Sequence, residues 1–299
     1  MDSPTATLIG ILQERVANFQ ESGNLTEALH AANAAVEKTQ QSLTTDLAAI
    51  DSFVSALEIR AELHREMGDY EAAQDDYRQA IDQLDTRPDK IAEVGRLHAG
   101  LGATYDAVGK IDKAADHWLR AISCFEAFDP PLDLDIAGLC NNLGFLYKSV
   151  GEFDHAESQF LRALEILHAN YGTDHEETAT VSSNLGALYQ AAGYHEQARE
   201  MHMMALETRR RLLGDQHPDT AQSHNNLALA LLSTGDRAWA KRHLERALEG
   251  FESLGPEYHE DLDAVADNYC LFLRDEGDNR MADLIEDRVK KTIGGGVPA

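Results

Sequence analysis

The feature that most constrains this chain is a recurrence. Glycines stand at positions 23, 68, 109, 151, 193, 235 and 277; the first two intervals are 45 and 41 residues and the next four are all 42. Five residues beyond each glycine lies an alanine (Ala28, Ala73, Ala114, Ala156, Ala198, Ala240, Ala282). Twelve beyond lies another (Ala35, Ala80, Ala121, Ala163, Ala205, Ala247), replaced only in the last unit by Val289. Eight, seven and four residues before the glycine, the inner units carry Leu101/Gly102/Tyr105, Leu143/Gly144/Tyr147, Leu185/Gly186/Tyr189 and Leu227/Ala228/Leu231. A chain with this period builds one supersecondary unit repeatedly, and each unit buries its apolar face only against its neighbours.

Spacings of three and four put these residues on one face of a helix. Glycine accepts the positive φ at which a helix ends and the chain turns back. Small residues after the turn let a second helix lie close to the first. Each unit therefore reads as a helix–turn–helix hairpin. The stack implies an all-α fold, a right-handed α-solenoid of about seven hairpins with a 42-residue period. It spans 8–292 as a single domain, between a flexible N-terminus at 1–7 and a disordered tail at 293–299. The ends depart from the pattern as terminal caps do. Arg15 stands where the inner units have Leu101, Leu143, Leu185 and Leu227, and Glu286 stands where inner units have Tyr77, Trp118, Phe160 or Leu244. The first helix, with Leu8, Ile9, Ile11, Leu12, Val16 and Phe19, is apolar enough for a membrane surface, but capping the solenoid explains it better.

Composition narrows the function. Acidic residues outnumber basic ones 52 to 26, a net charge of −26. This disfavours nucleic acid, which needs a basic footprint, and simple attachment to anionic lipid; it favours a dispersed monomer. Cys124, Cys140 and Cys270 are odd in number and unpatterned, which suits small core residues in a reducing cytoplasmic setting.

The leucine–glycine–tyrosine triplet, the turn glycine and the alanines that follow resemble the tetratricopeptide (TPR) signature, whose usual period is about 34 residues. The excess here is assigned to the connections between hairpins, "YGTDHEETAT" (171–180) and "LGDQHPDTAQ" (213–222). "HPDTAQSHNNLALALLSTG" followed by "AKRHLERALE" is similar to the kinesin-light-chain type of TPR, most strongly over 135–276. No heptad segment precedes the repeats. The chain looks like the stand-alone bacterial kinesin-light-chain homologues associated with bacterial tubulins. The resemblance implies a protein-binding, cytoskeleton-associated scaffold in the cytoplasm, with a bacterial tubulin-like filament as partner.

Two surfaces are candidates for the partner. Nine residues before the glycine stand Asn142, Asn184, Asn226 and Asn268; ten before stand Asn141, Ser183, Asn225 and Asp267. An amide both donates and accepts, so such a ladder can hold an extended peptide backbone. It can equally bond neighbouring helices and hold their register, and the two readings are compatible. For clamping a carboxylate the groove offers only Lys148 and Arg274, beside Asp267 and Asp275, so a groove for acidic peptides is disfavoured. The second surface is a cluster of eight cations in 199–246, among them Arg209, Arg210, Arg211, Lys241 and Arg242, with Trp239 between them. Cations at a helix C-terminus also simply suit the dipole. Trp239 is either an interface anchor or packed under a neighbouring hairpin.

His175, His217 and His259 recur at the 42-residue period. Equivalent positions in stacked hairpins lie about 8–10 Å apart, too far for one zinc, so loop and cap roles fit them better. No phosphate loop, nucleophile elbow or dinucleotide fingerprint occurs, and no carboxylate pair stands out. The chain reads as a non-enzyme without cofactor or metal. The preferred function is a scaffold that decorates or cross-links filaments. The alternative is a soluble adaptor that holds peptides in the asparagine-lined concave groove, and a signalling TPR protein ranks third.

Overall fold

The computed structural model describes residues 3–294, with side chains from residue 10 onward. Among the described residues there are fourteen α-helices and no strand. They form seven hairpins: α1 (Ser3–Glu21) and α2 (Leu25–Gln41), α3 (Leu47–Glu66) and α4 (Tyr70–Leu84), α5 (Ile91–Ala107) and α6 (Ile111–Ala127), α7 (Asp133–Ser149) and α8 (Phe153–Tyr171), α9 (Glu176–Ala192) and α10 (His195–Leu213), α11 (Pro218–Ser233) and α12 (Arg237–Glu252), α13 (His259–Asp275) and α14 (Asn279–Gly294). The chain divides into two compact units, 1–139 and 140–299.

All seven periodic glycines sit at the turn inside a hairpin, with φ between 68° and 85°. Nothing lies within 4 Å of where a Cβ would stand on any of them, so backbone conformation alone demands glycine there. The seven alanines five residues on are all fully buried. The leucines at the −8 position (Leu101, Leu143, Leu185, Leu227) are at most 4% exposed, each worth about 1.5–3 kcal/mol of burial.

The small residue beside each leucine has a specific partner. A Cβ on Gly102 would stand 2.5 Å from the Trp118 ring, one on Gly144 2.6 Å from Phe160, and one on Gly186 2.8 Å from His202. In every case the second helix sets a ring against the backbone of the first. Where the ring gives way to Leu244, the glycine gives way to Ala228, and both are fully buried.

The extra residues of the long period are not chiefly in the connections. Helices α8 and α10 each run 19 residues. Helix α9 begins at Glu176 and α11 at Pro218, so only 172–175 and 214–217 separate these hairpins. Helical extension keeps backbone groups paired, which a longer loop would not. His175 and His217 are the N-caps: each Nδ1 accepts a backbone N–H, from Glu177 and Asp219 respectively, at 3.3 Å. His259 opens α13 without capping it.

At the first end, α1 starts at Ser3, ahead of Leu8. Leu8 and Ile9 lie outside the described side chains, whereas Leu12 and Val16 are buried and Ile11 is exposed. Val16 packs with Ala28, Ala32 and Leu63, and Phe19 joins them. At the other end, Glu286 pairs with Arg274 at 2.6 Å rather than entering a seam. Of the expected tail, Ile293 and Gly294 close α14 and the remainder lies outside the described residues. No described helix is long and apolar enough to cross a membrane. Cys140 and Cys270 are buried and Cys124 is half-buried.

Candidate functional site

The asparagine ladder forms, with its rungs bonded to one another. Asn184 donates to Asn141 Oδ1 at 2.9 Å, Asn226 to Ser183 Oγ at 3.4 Å and Asn268 to Asn225 Oδ1 at 3.1 Å. The rule is the same each time: the residue nine before one turn glycine donates to the residue ten before the preceding one. Stacking first helices at a 42-residue period puts partners 43 apart in sequence beside each other. Asn225 is buried, and Asn226 Oδ1 also accepts from Gln222 at 2.8 Å. This is register chemistry, and it occupies amide groups that a peptide would need. Asn142 is exposed. One turn further along α7, Phe145 is also exposed, and Lys148 Nζ lies 6.0 Å from its ring centroid.

The basic cluster separates into three kinds of cation. Arg209 is 8% exposed, so it is no surface contact. Its guanidinium donates to Ser223 Oγ at 2.8 Å and Thr180 Oγ1 at 3.2 Å, tying α10 to α11 and α9. Its Nε has no partner and burial lowers its pKa. The sequence shows three consecutive arginines near a helix end, but only packing reveals that the first points inward. A second group is neutralised locally: Arg210 by Asp215 at 2.7 Å, Arg211 by Asp174, and Arg237 by Asp275 and Glu276. Lys241 and Arg242 form the third kind, exposed and without a carboxylate partner among the described residues.

Trp239 is 52% exposed and packs under no neighbouring hairpin. The Arg242 guanidinium lies 4.9 Å from its ring centroid, within cation–π range. Asp236 caps α12 by accepting the Trp239 backbone N–H at 3.4 Å, which sets the ring on the first turn of the helix.

These two residues edge a cleft of about 350 Å³ that Arg210, His224, His243 and Arg246 also line. On its wall, His224 and His243 face each other, Nδ1 to Nδ1 at 2.8 Å. That distance needs one ring to donate and the other to accept, so the pair is at most singly protonated. Burial, then the neighbouring imidazole and Arg210, push His224 down to about 4; burial also lowers His243. The same pair occurs three repeats earlier, where His98 and His117 stand 2.9 Å apart. A histidine at the −11 and +8 positions of both hairpins was the sequence signal for it. The sequence singled out Arg210, Trp239, Arg242 and Arg246 around the cleft but not His224 and His243.

The tetratricopeptide repeat model matches residues 135–209 and 179–253, and a second model of the same repeat matches 49–83. Together they cover just over half of the chain. Among solved structures, the chain is similar to BtubC (BKLC) from P. vanneervenii, with 27% identity and a TM-score of 0.63 over 75% of this chain and 89% of that one. It shares its fold with RapI (14% identity, TM-score 0.71, 99% of this chain and 78% of that one). It does so too with aspartyl phosphate phosphatase F from Bacillus subtilis (14%, 0.64, 99% and 73%). No curated protein matched. The periodic turn glycines, the ring-on-glycine seams and these matches make the chain a member of the tetratricopeptide-repeat family, a scaffold for protein interaction.

Proposed function

We propose that the chain is a scaffold that binds or cross-links filaments of a bacterial tubulin-like protein. The likeness to BtubC carries this reading, because its 27% identity extends over 89% of that chain rather than over a few shared repeats. The contact surface is the second-helix side of α10 and α12, where Trp239, Lys241 and Arg242 are exposed. Tryptophan and arginine are among the residue types most enriched at the energetic centres of interfaces. The test is co-sedimentation with assembled bacterial tubulin filaments. The chain should pellet with them, and Trp239→Ala with Arg242→Ala should weaken pelleting about tenfold or more without loss of helicity. A chain that stays in the supernatant at every filament concentration sinks the reading.

A second reading has one observation in its favour. The first-helix face of the second unit presents exposed apolar side chains, Phe145 and, at 70% exposure, Leu271, alongside amides. A soluble adaptor would hold an extended peptide there. Leu271→Ser would then abolish peptide capture and leave filament pelleting intact.

A further inference from the structure

We propose that the cleft between α10, α11 and α12 is a seat for an acidic peptide segment, a glutamate- or aspartate-rich stretch of a partner protein. This deepens the protein-binding reading above by assigning the chemistry of what enters the site. In a chain of net charge −26, the cleft gathers three arginines, Arg210, Arg242 and Arg246, with Lys241 exposed on the same helix. Two of the three already face an acid: Asp215 pairs with Arg210 at 2.7 Å, and Glu249 forms a looser ion pair with Arg246 at 3.6 Å. Arg242 has no carboxylate within ion-pair distance among the described residues, so the cleft keeps a net positive charge centred on it.

Arg242 is also prepared for an anion. Lying over the Trp239 ring spends one face of its planar guanidinium and leaves the in-plane N–H groups available. A carboxylate accepts two such N–H groups side by side. The ring holds the guanidinium in place, so less side-chain entropy is lost on binding. The half-exposed indole supplies an apolar edge for the segment's backbone or a neighbouring side chain. His224 and His243, satisfied by each other and held neutral, line the wall without adding to the crowd of cations.

Size and surroundings select an extended segment over a broad polyanion. A cleft of about 350 Å³ holds one or two side chains, not a folded surface. A membrane or a nucleic acid would bring its charge against the acidic remainder of the chain, within a Debye length of about 8–10 Å at ordinary salt. A single strand entering the cleft meets the unpaired Arg242 beside two arginines that each already face one carboxylate.

The experiment is a fluorescence-anisotropy titration of the full chain against labelled hexaglutamate, with a glycine–serine peptide of equal length as reference. Hexaglutamate should bind saturably and weaken as salt rises, and the neutral peptide should not bind. Arg242→Glu with Arg246→Glu should weaken hexaglutamate about tenfold or more, as should the milder Arg242→Gln to a smaller degree, with the circular dichroism unchanged. Equal binding of the two peptides, or charge reversal without effect, overturns the proposal. So does binding to phosphatidylserine vesicles through the same arginines without any binding of hexaglutamate. The filament assay separates this claim from the broader one. If hexaglutamate binds but the chain does not pellet, the seat stands and the filament reading falls. If the chain pellets but does not bind hexaglutamate, the filament reading stands and the seat falls.

Discussion

At the residue scale, the decisive choices are at the small side chains. Gly144 is helical and needs no unusual φ; it is glycine because Phe160 lies on it. Gly144→Ala should cost about 1–3 kcal/mol, the usual range for overpacking a tight seam, and lower the melting temperature. Gly138 is the internal control. It lies in the same helix with nothing within 4 Å of its Cβ position, so Gly138→Ala should be neutral or stabilise by about 0.5–1 kcal/mol through helix propensity. Equal effects of the two would refute the ring-on-glycine explanation. The requirement for a small residue was legible as a period. That the partner is a ring from the second helix was not, because the two positions lie 16 residues apart and pair only once the hairpin closes.

At the scale of elements, the asparagines are cross-braces between successive first helices. Removing the Asn184 amide by Asn184→Ala should cost about 1 kcal/mol and leave Asn141 with one acceptor unmet. Arg209 braces three helices from inside, at the price of a buried charge with an unpartnered Nε. Its partners are the Ser223 and Thr180 hydroxyls rather than a carboxylate, so removing the charge leaves no buried countercharge unpaired. Arg209→Met should therefore fold with stability within about 2 kcal/mol of the parent and bind hexaglutamate as the parent does. Loss of binding in a folded Arg209→Met would return that residue to the contact surface. The sequence could list amides at matching positions. It could not say that their hydrogen bonds run to each other, since that depends on the offset between stacked helices.

At the scale of the whole molecule, stability should follow pH through histidine. His98, His202 and His224 are buried, and desolvation, the first cause in each case, holds each at about 4 against an ordinary 6.5. The unfolded chain binds those protons more readily. The stability contributed by keeping the rings neutral is complete above pH 6.5 and is lost as pH falls through the interval down to about 4. The melting temperature should decline over that window. His202 occupies the ring position that Phe160 fills one repeat earlier, and its Nδ1 has no partner. His202→Phe should raise the melting temperature, and by more at pH 5.5 than at pH 7.5. A uniform change at both values would show that the ring is not held neutral.

The sequence by itself determined the repeat, the hairpin and the polar ends, because each depends on local rules: a positive φ at a turn, small residues at a helix crossing, an apolar stripe at helical spacing. These rules recur every 42 residues, so noise in one unit is averaged out by the others. Tertiary structure decided what each polar group is free to do. Three adjacent arginines at 209–211 read alike in sequence; one is buried, and two are paired with carboxylates. Lys241 and Arg242 remain available because, among the described residues, no carboxylate stands within ion-pair distance of them. Charge is a property of the residue, but its availability depends on distances of a few ångströms between helices that are far apart in the chain.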